Sequence, residues 1–179
     1  VGGYSLKELK FALPDWVAQA QAAQSPPTGK SVFIFAMLPY WVEQTSLTAL
    51  ALSALGYDVT LAYLPYAHWK KPVEHFDARR QNLYMREVLK PLEAQLTLFS
   101  LLDAPGVKSL PEELSSQMDA AAYRDLQYSL LREDVDPKSE LYDLRLERNT
   151  THARALLHLL QDQSPDVLIV PNGSMLEFG

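Results

Sequence analysis

The sequence feature that most constrains the fold is an uninterrupted apolar run at residues 32–37 (VFIFAM). The run is too short for a typical helix and shows no polar–apolar alternation, which predicts a strand buried on both faces of a sheet. We expect residues 40–45 to form a polar, aromatic loop before a helix that begins near Ser46. A buried strand, a loop and a helix in this order are typical of an open α/β sheet, whose ligand crevice lies at the carboxyl ends of its strands.

Three further apolar runs, at residues 59–64, 96–101 and 167–170, predict three more strands. Helical patterns separate them at residues 46–55, 72–94 and 111–133, and from residue 137 to about residue 163. The first of these helices has an apolar stripe at i, i+3, i+4, i+7 and i+8, formed by Leu47, Leu50, Ala51, Ala54 and Leu55. The alternation predicts an α/β, Rossmann-like, doubly wound parallel sheet in the order 3-2-1-4 with helices on both faces. The crevice is then expected between the loops that follow Met37 and Val170.

The two ends of the chain suggest how it is divided. Residues 1–24 predict an N-terminal helical segment in two pieces, broken at Pro14, and residues 25–30 (SPPTGK) predict a linker. Residues 31–179 then make up the Rossmann-like domain. Because the sequence starts without methionine and stops where a new helix begins, we expect a domain truncated at its C-terminal end.

Composition and missing motifs exclude several classes of function. A formal net charge of −6 argues against a nucleic-acid partner, and the absence of cysteine excludes disulfides and thiolate metal sites. We expect no membrane span, since no apolar run approaches about 20 residues, and a cytoplasmic location, since no signal peptide pattern is present. Dinucleotide and phosphate-loop fingerprints, the GxSxG elbow and the HExxH pattern are also absent from the sequence, so we predict no metal site and no cofactor held by this chain.

The length of the last predicted helix adds candidate site residues. About 25 residues span roughly 37 Å, whereas a five-residue strand spans roughly 17 Å, so the part before about His152 should overhang the carboxyl edge of the sheet. There Arg145, Arg148, Asn149 and His152 share one face by helical spacing. That face is either solvated or turned towards a ligand in the crevice.

Residues of the predicted loops complete the candidate site. Glu43 is a carboxylate that can act as a general base, bind hydroxyls or simply complement a helix dipole. Aromatic side chains suit stacking on a ligand ring as well as anchoring in a core, and the turn at residues 172–173 is either a plain turn or a source of backbone N–H groups for a ligand. The substrate-binding candidates are Tyr40, Trp41, Gln44, Thr45, His68, Arg148, Asn149, Asn172, Gly173, Ser174 and Glu177.

Two stretches of the sequence resemble the N-terminal half of GT-B type glycosyltransferases, enzymes with two Rossmann-like domains. They are residues 33–66, which contain GYDVT, and residues 142–179, which contain PDVLIVPNG. The resemblance implies that this domain holds the acceptor and supplies a base in inverting members, for which Glu43 and His152 are the predicted catalytic positions. The family's glycine-rich loop after strand 1 is replaced by residues 38–42 (LPYWV), so the sugar nucleotide is expected to bind mainly a missing C-terminal domain.

The sequence therefore predicts the acceptor-side domain of a glycosyltransferase. It would move a sugar from a sugar nucleotide to a glycan, glycolipid or similar hydroxyl-bearing acceptor, and it would be inactive without a C-terminal nucleotide-sugar-binding domain. The alternative is a non-catalytic Rossmann-like module that binds a small ligand or a protein partner. A nucleotide-dependent epimerase is a third possibility.

Overall fold

The computed structural model describes residues 6–37, 39–65, 71–72 and 74–170 of the chain. Its four strands are β1 (Ser31–Met37), β2 (Asp58–Leu64), β3 (Thr97–Ser100) and β4 (Val167–Ile169), and they form an all-parallel sheet in the order β3-β2-β1-β4. The helices are α1 (Lys7–Ala22), α2 (Pro39–Ala54), α3 (His75–Leu89), α4 (Glu112–Leu130) and α5 (Glu140–Gln163), with a 3-10 helix (Lys90–Ala94) after α3. The predicted Rossmann-like α/β fold and strand order are confirmed.

The two central strands explain why the sheet is covered on both sides. All but the first residue of β1 and of β2 are buried, and successive side chains point to opposite faces. Val32, Ile34 and Ala36 pack in one apolar cluster with α1, α2, α3 and the 3-10 helix. Phe33 and Phe35 pack in a second cluster with the C-terminal half of α5. Helices therefore lie on both faces of the sheet, as expected of a doubly wound arrangement.

The N-terminal segment differs from its prediction because Pro14 does not break it. The helix α1 is continuous, with Pro14 inside it, and buries Leu9 and Leu13 before the proline and Val17 and Ala20 after it. A proline in a helix costs about 3 kcal/mol, and burying each large apolar side chain contributes about 1.5–3 kcal/mol. The apolar stripe on both sides of the proline thus outweighs its cost.

The helix α2 begins at Pro39, seven residues before the predicted start, so residues 40–45 are helical and not a loop. Proline is well suited to a first helical position, where its missing N–H group would have no helical partner. The predicted stripe is also wrong, since Leu47 and Leu55 are 45% and 57% exposed and only Leu50 of the five residues is buried. The core instead receives Val42, Ser46, Ala49, Leu50 and Ser53.

Two serines of α2 can face the core of the protein because their hydroxyl groups have hydrogen-bond partners. The hydroxyl of Ser46 donates to the carbonyl oxygen of Val42 at 2.6 Å, and that of Ser53 donates to the carbonyl oxygen of Gln95 at 2.9 Å. Buried hydroxyls with partners escape the desolvation penalty that would otherwise keep them at the surface. A count of apolar residues alone therefore selects the wrong face.

The linker of residues 25–30 lies against the end of α2. Gly56 follows that helix with φ +87°, the left-handed conformation that commonly ends a helix. A Cβ atom at this position would overlap the carbonyl oxygen of Pro26, so glycine is required by backbone conformation and by space. The linker is held there by the amide of Thr28, which donates to the carbonyl oxygen of Gly56 at 2.8 Å.

The helix α4 packs chiefly against α5. Ala122 and Leu126 of α4 form a small apolar cluster with Tyr142 of α5. None of the helices in the described ranges is both long enough and apolar enough to cross a membrane.

Candidate functional site

A cavity of about 720 Å³, called here the first cavity, lies at the carboxyl edge of the sheet. Its walls come from the first half of α3, from the segment after β3 and from the part of α5 that precedes the sheet-packed half. The described residues that line it are Pro72, His75, Ala78, Arg79, Asn82, Leu102, Asp103, Leu144, Glu147, Arg148, Thr151 and His152. Its volume falls within the roughly 300–1,000 Å³ typical of small-molecule sites.

The predicted overhang of α5 explains the position of this cavity. Ala155 and Leu159 pack against the sheet, whereas Tyr142, more than three turns before Ala155, packs against α4. Residues between about 144 and 152 are therefore beyond the part of the helix that covers the strands. Arg148 and His152, both predicted as site residues, lie in this part of the helix and line the first cavity.

The polar face of α5 is buried and not solvated. Arg145, Arg148, Asn149 and His152 are each 7% exposed or less. Arg145 forms a buried ion pair with Asp125 of α4, donating from Nε to Oδ2. This contact turns Arg145 towards α4, so the predicted cluster does not converge on one ligand.

Arg148 and Asn149 play different parts despite being neighbours in sequence. The Nη2 group of Arg148 donates to the backbone carbonyl oxygen of Lys71, which joins α5 to the segment before α3. Asn149 is 1% exposed and is not among the described residues of the first cavity. Its Oδ1 atom is buried without a hydrogen-bond partner in the described ranges.

The imidazole of His152 is held neutral by its surroundings. Burial, together with the positive charges of Arg148 and Arg145, lowers the pKa of His152 from 6.5 to about 4. At pH 7 the ring thus has one nitrogen that donates and one that accepts hydrogen bonds. It is a weak proton acceptor, because protonation would place a third positive charge, buried, beside two guanidinium groups.

A polar network that the sequence did not reveal forms the opposite wall. The buried hydroxyl of Ser100 donates to Oδ1 of Asn82 at 2.6 Å, and Nδ2 of Asn82 donates to Oδ2 of Asp103 at 2.8 Å. The Nη1 atom of Arg86 lies 3.9 Å from the same carboxylate oxygen. Burial raises the pKa of Tyr63, which lies beside Ser100, to about 12, so this phenol stays protonated.

Two residues that line the first cavity, Asn82 and Asp103, were not predicted as site residues, although the sequence held a signal for each. Asp103 is the first charged residue after β3, so the rule that ligands bind at carboxyl ends of strands would have selected it. Asn82 is the one amide within a helical stripe of buried residues that includes Ala78, Met85 and Leu89. Their importance went unnoticed because the crevice was expected elsewhere, between the loops after β1 and β4.

The candidates on α2 are separate from the first cavity. Tyr40 is partly exposed, with its ring centroid 5.2 Å from that of Trp41, and Glu43 is half-buried. Gln44 is exposed, and the hydroxyl of Thr45 donates to the carbonyl oxygen of Trp41 at 2.8 Å. None of these five residues is among the described residues that line the cavity. Their predicted role in binding or catalysis remains a prediction.

The remaining candidates, His68, Asn172, Gly173, Ser174 and Glu177, lie outside the described residues, as does Leu38. The crevice predicted between the loops after Met37 and Val170 is therefore not described. Within the described ranges, no group of three His, Asp or Glu side chains is placed to hold a metal ion.

The fold and the first cavity together define the class of this molecule: a Rossmann-like α/β domain with a ligand-sized cavity at the carboxyl edge of its sheet. Comparisons with protein-family models, with curated proteins and with solved structures give no match. Arguments about function therefore depend on the residues of the cavity and on the sequence resemblance.

Proposed function

We propose that the chain is the acceptor-side domain of a GT-B type glycosyltransferase and that a hydroxyl-bearing acceptor binds in the first cavity. The observation that carries the proposal is the composition of the cavity wall at the carboxyl edge of a Rossmann-like sheet. The wall combines the carboxylate of Asp103, which accepts a hydrogen bond from Asn82, with a buried arginine and a neutral histidine of α5. The sequence resemblance to the GT-B family gives independent support.

The wall suits a ligand with several hydroxyl groups. A hydroxyl both donates and accepts hydrogen bonds, so it pairs best with a site that offers both functions. Asp103 and Glu147 accept, Arg79 donates, and Thr151 does either. Leu102, Leu144 and Pro72 supply apolar surface for the C–H faces of a ring, in keeping with sites that combine apolar walls with a few polar groups.

Within this proposal the carboxylate of Asp103 is the best-placed group to accept the proton of a reacting hydroxyl. The side chain of Asn82 orients this carboxylate, and Asp103 stays accessible from the cavity. His152 has a pKa of about 4, which makes it better suited to orienting the acceptor than to removing a proton. Glu43 remains the candidate base if the acceptor extends towards α2. The sugar nucleotide would be supplied by a second, C-terminal domain.

One observation favours the alternative, a non-catalytic module that binds a small ligand. The two buried cavity residues of α5 are Arg148 and His152, and a guanidinium group and an imidazole of low pKa can bind a ligand without accepting its proton. Both functions predict binding in the first cavity, and only the glycosyltransferase predicts transfer.

The test is a titration of the chain with a panel of methyl glycosides, in which binding is monitored by calorimetry and by NMR of the backbone amides. We expect Asp103→Asn and His152→Gln each to weaken binding about 10-fold or more, since hydrogen bonds to charged or buried groups contribute about 1.5–3 kcal/mol. His158→Gln is the matched control, because His158 is on the same helix but is absent from the described lining and lies 3.5 Å from Asp162.

Equal affinities for the parent chain and both cavity variants would refute the proposed site. Transfer is then measured with a protein that carries both domains and a panel of sugar nucleotides. Glycoside binding without any transfer would favour the non-catalytic module.

A further inference from the structure

The hydrogen bonds of the polar network beside the first cavity all run in one direction, towards Asp103. Asp103 and Asn82 line the cavity, whereas Ser100 is 8% exposed and is not among the described lining residues. An ionised carboxylate only accepts hydrogen bonds, so Asn82 turns its Nδ2 group to Oδ2 of Asp103, at 2.8 Å. The Oδ1 atom of Asn82 is then left to accept from the hydroxyl of Ser100, at 2.6 Å.

Tyr63 extends this chain of hydrogen bonds into the core. Tyr63 and Ser100 are paired residues on the neighbouring strands β2 and β3, and their side chains form a hydrogen bond. Ser100 has a single hydroxyl hydrogen, which it gives to Asn82, so Tyr63 is the donor in this bond. The phenol keeps its hydrogen at neutral pH, because burial raises the pKa of Tyr63 to about 12. The chain therefore starts at a permanent donor in the core and ends at a carboxylate on the cavity wall.

The orientation of the Asn82 amide decides which atom Asp103 meets. The two ends of an amide have almost the same shape, so a half-turn about the Cβ–Cγ bond exchanges a donor for an acceptor. In the turned orientation the carbonyl oxygen of Asn82 would face the carboxylate of Asp103, and the hydroxyl hydrogen of Ser100 would lose its acceptor. Packing alone hardly distinguishes the two orientations, because packing depends on shape. The hydroxyl of Ser100 does distinguish them.

We propose that Ser100 is a positioning residue of the first cavity: its hydroxyl fixes the amide of Asn82, so that Asp103 is held by a donor of the protein and offers the ligand only hydrogen-bond acceptors. This inference rests on the proposed function and deepens it, since it names what sets acceptor recognition at Asp103. The ligand group that meets Asp103 must then carry a hydrogen, as a hydroxyl does and a fluorine substituent does not. A carboxylate that is already oriented also binds without the cost of being ordered.

The first experiment measures the binding of methyl glycosides to Ser100→Ala by calorimetry. We expect an affinity about 3- to 10-fold weaker than that of the parent chain, in line with the net contribution of one hydrogen bond. Ser100→Thr keeps the hydroxyl, on a strand that favours β-branched residues, and should restore the parent affinity. Ser53→Ala is the matched control and should bind as the parent does. Ser53 is 2% exposed and its hydroxyl donates to the carbonyl oxygen of Gln95 at 2.9 Å, but it is not among the described lining residues.

The second experiment observes the side-chain amide of Asn82 directly by ¹⁵N NMR and needs no ligand. In the parent chain one Nδ2 proton should exchange slowly with solvent, because it is donated to Asp103. Ser100→Ala should speed this exchange about 10-fold or more, whereas Ser53→Ala should leave it unchanged. Tyr63→Phe should also leave it unchanged, because Ser100 still gives its hydrogen to Asn82. A merely structural role of Ser100 would lower the free energy of unfolding in urea without altering this exchange.

A ligand-side measurement uses the parent chain and keeps the inference testable even if Ser100→Ala does not fold. Fluorine replaces each hydroxyl of the tightest methyl glycoside in turn. We expect one replacement to weaken binding about 10-fold or more, and Asp103→Asn to remove most of this difference, because the side chain of asparagine also carries a donor. Tolerance of every replacement by the parent chain would overturn the inference.

The outcomes separate the inference from the function on which it rests. If glycosides bind the parent chain and a folded Ser100→Ala equally, the proposed function stands and the inference is overturned. If the exchange of the Asn82 amide changes as expected but no glycoside binds the parent chain, the positioning role is supported and the glycosyl acceptor is refuted. Unchanged amide exchange in Ser100→Ala would overturn the inference whatever the affinities.

Discussion

The buried imidazole of His152 should make the stability of the fold depend on pH in a defined window. Its pKa is 6.5 in an unfolded chain and about 4 in the folded protein. Between these values the unfolded state binds more protons than the folded state, so the free energy of unfolding falls as the pH falls. Above about pH 7 the imidazole is neutral in both states and the effect vanishes.

The size of this effect follows from the two pKa values. At about 1.36 kcal/mol per pKa unit, the complete transition removes about 3 kcal/mol, and lowering the pH from 7.5 to 5 removes about 2 kcal/mol. His152 is 7% exposed, so solvent screening reduces the figure little. A loss of 2 kcal/mol is a large part of the 5–15 kcal/mol that stabilises a typical domain.

The assay is urea unfolding, followed by circular dichroism, at several pH values between 7.5 and 5. His152→Gln removes the titrating group, so the difference in unfolding free energy between parent and variant should change by about 2 kcal/mol across this range. His158→Gln retains His152 and should keep the parent's dependence. Parallel pH profiles for the parent and His152→Gln would refute the reasoning, because the imidazole would then titrate alike in both states.

Three other substitutions test the contacts that shape the fold. Gly56→Ala should lower the unfolding free energy on the order of 3 kcal/mol, because its φ of +87° disfavours any Cβ atom and the added atom would overlap the linker before β1. Asp125→Ala should cost about 3 kcal/mol, because Arg145 stays buried without that carboxylate. Leu131→Gly should add about 0.5–1 kcal/mol, because Leu131 is 88% exposed and has φ +53° at the end of α4. Urea unfolding measures all three.

Each of these substitutions has a matched control. Gly29→Ala has a similar positive φ, +72°, but open space around the added Cβ, so it should cost only about 1–2 kcal/mol. Glu87→Gln breaks an exposed ion pair with Lys10 and should cost less than about 1 kcal/mol. Leu131→Ala keeps the unfavourable backbone and should gain nothing. A control that matched its test substitution would show that the stated contact is not the cause.

The sheet could be predicted from sequence because its strands are short, apolar and separated by helical patterns. The order 3-2-1-4 followed from that alternation alone, and the register of β1 against both neighbours is consistent with a strand buried on two faces. Two errors, the break in α1 and the late start of α2, arise where the prediction takes a proline as a boundary. Pro14 is tolerated inside a helix with a long buried stripe, and Pro39 occupies a first helical position. Tertiary packing outweighs the cost of proline inside α1. At the start of α2, proline is favourable because the first helical position needs no N–H group.

The candidate site could be predicted only in part. The length of α5 against that of a strand predicted that the part of the helix before about His152 overhangs the carboxyl edge of the sheet, and Arg148 and His152 line the first cavity there, which is not the predicted crevice. Helical spacing could not show that Arg145 turns to a partner on α4, because that partner is 20 residues away in sequence. Asn82 and Asp103 were not predicted because the crevice was expected between the loops after β1 and β4, and because the hydrogen bond that joins them links separate elements. A hydrogen bond between distant segments exists only in the folded chain.

The ion pair between Arg145 of α5 and Asp125 of α4 helps to shape the first cavity. The overhanging part of α5 lies beyond the sheet, so it is held by α4 and by the hydrogen bond from Arg148 to the segment before α3. The apolar contacts there are those of Ala122, Leu126 and Tyr142 with their neighbours, and apolar contacts are not directional. A buried ion pair adds little net stability but demands one geometry. Its main effect should therefore be to fix the rotation of α5, which sets the direction in which Arg148 and His152 face the cavity one and two turns further along.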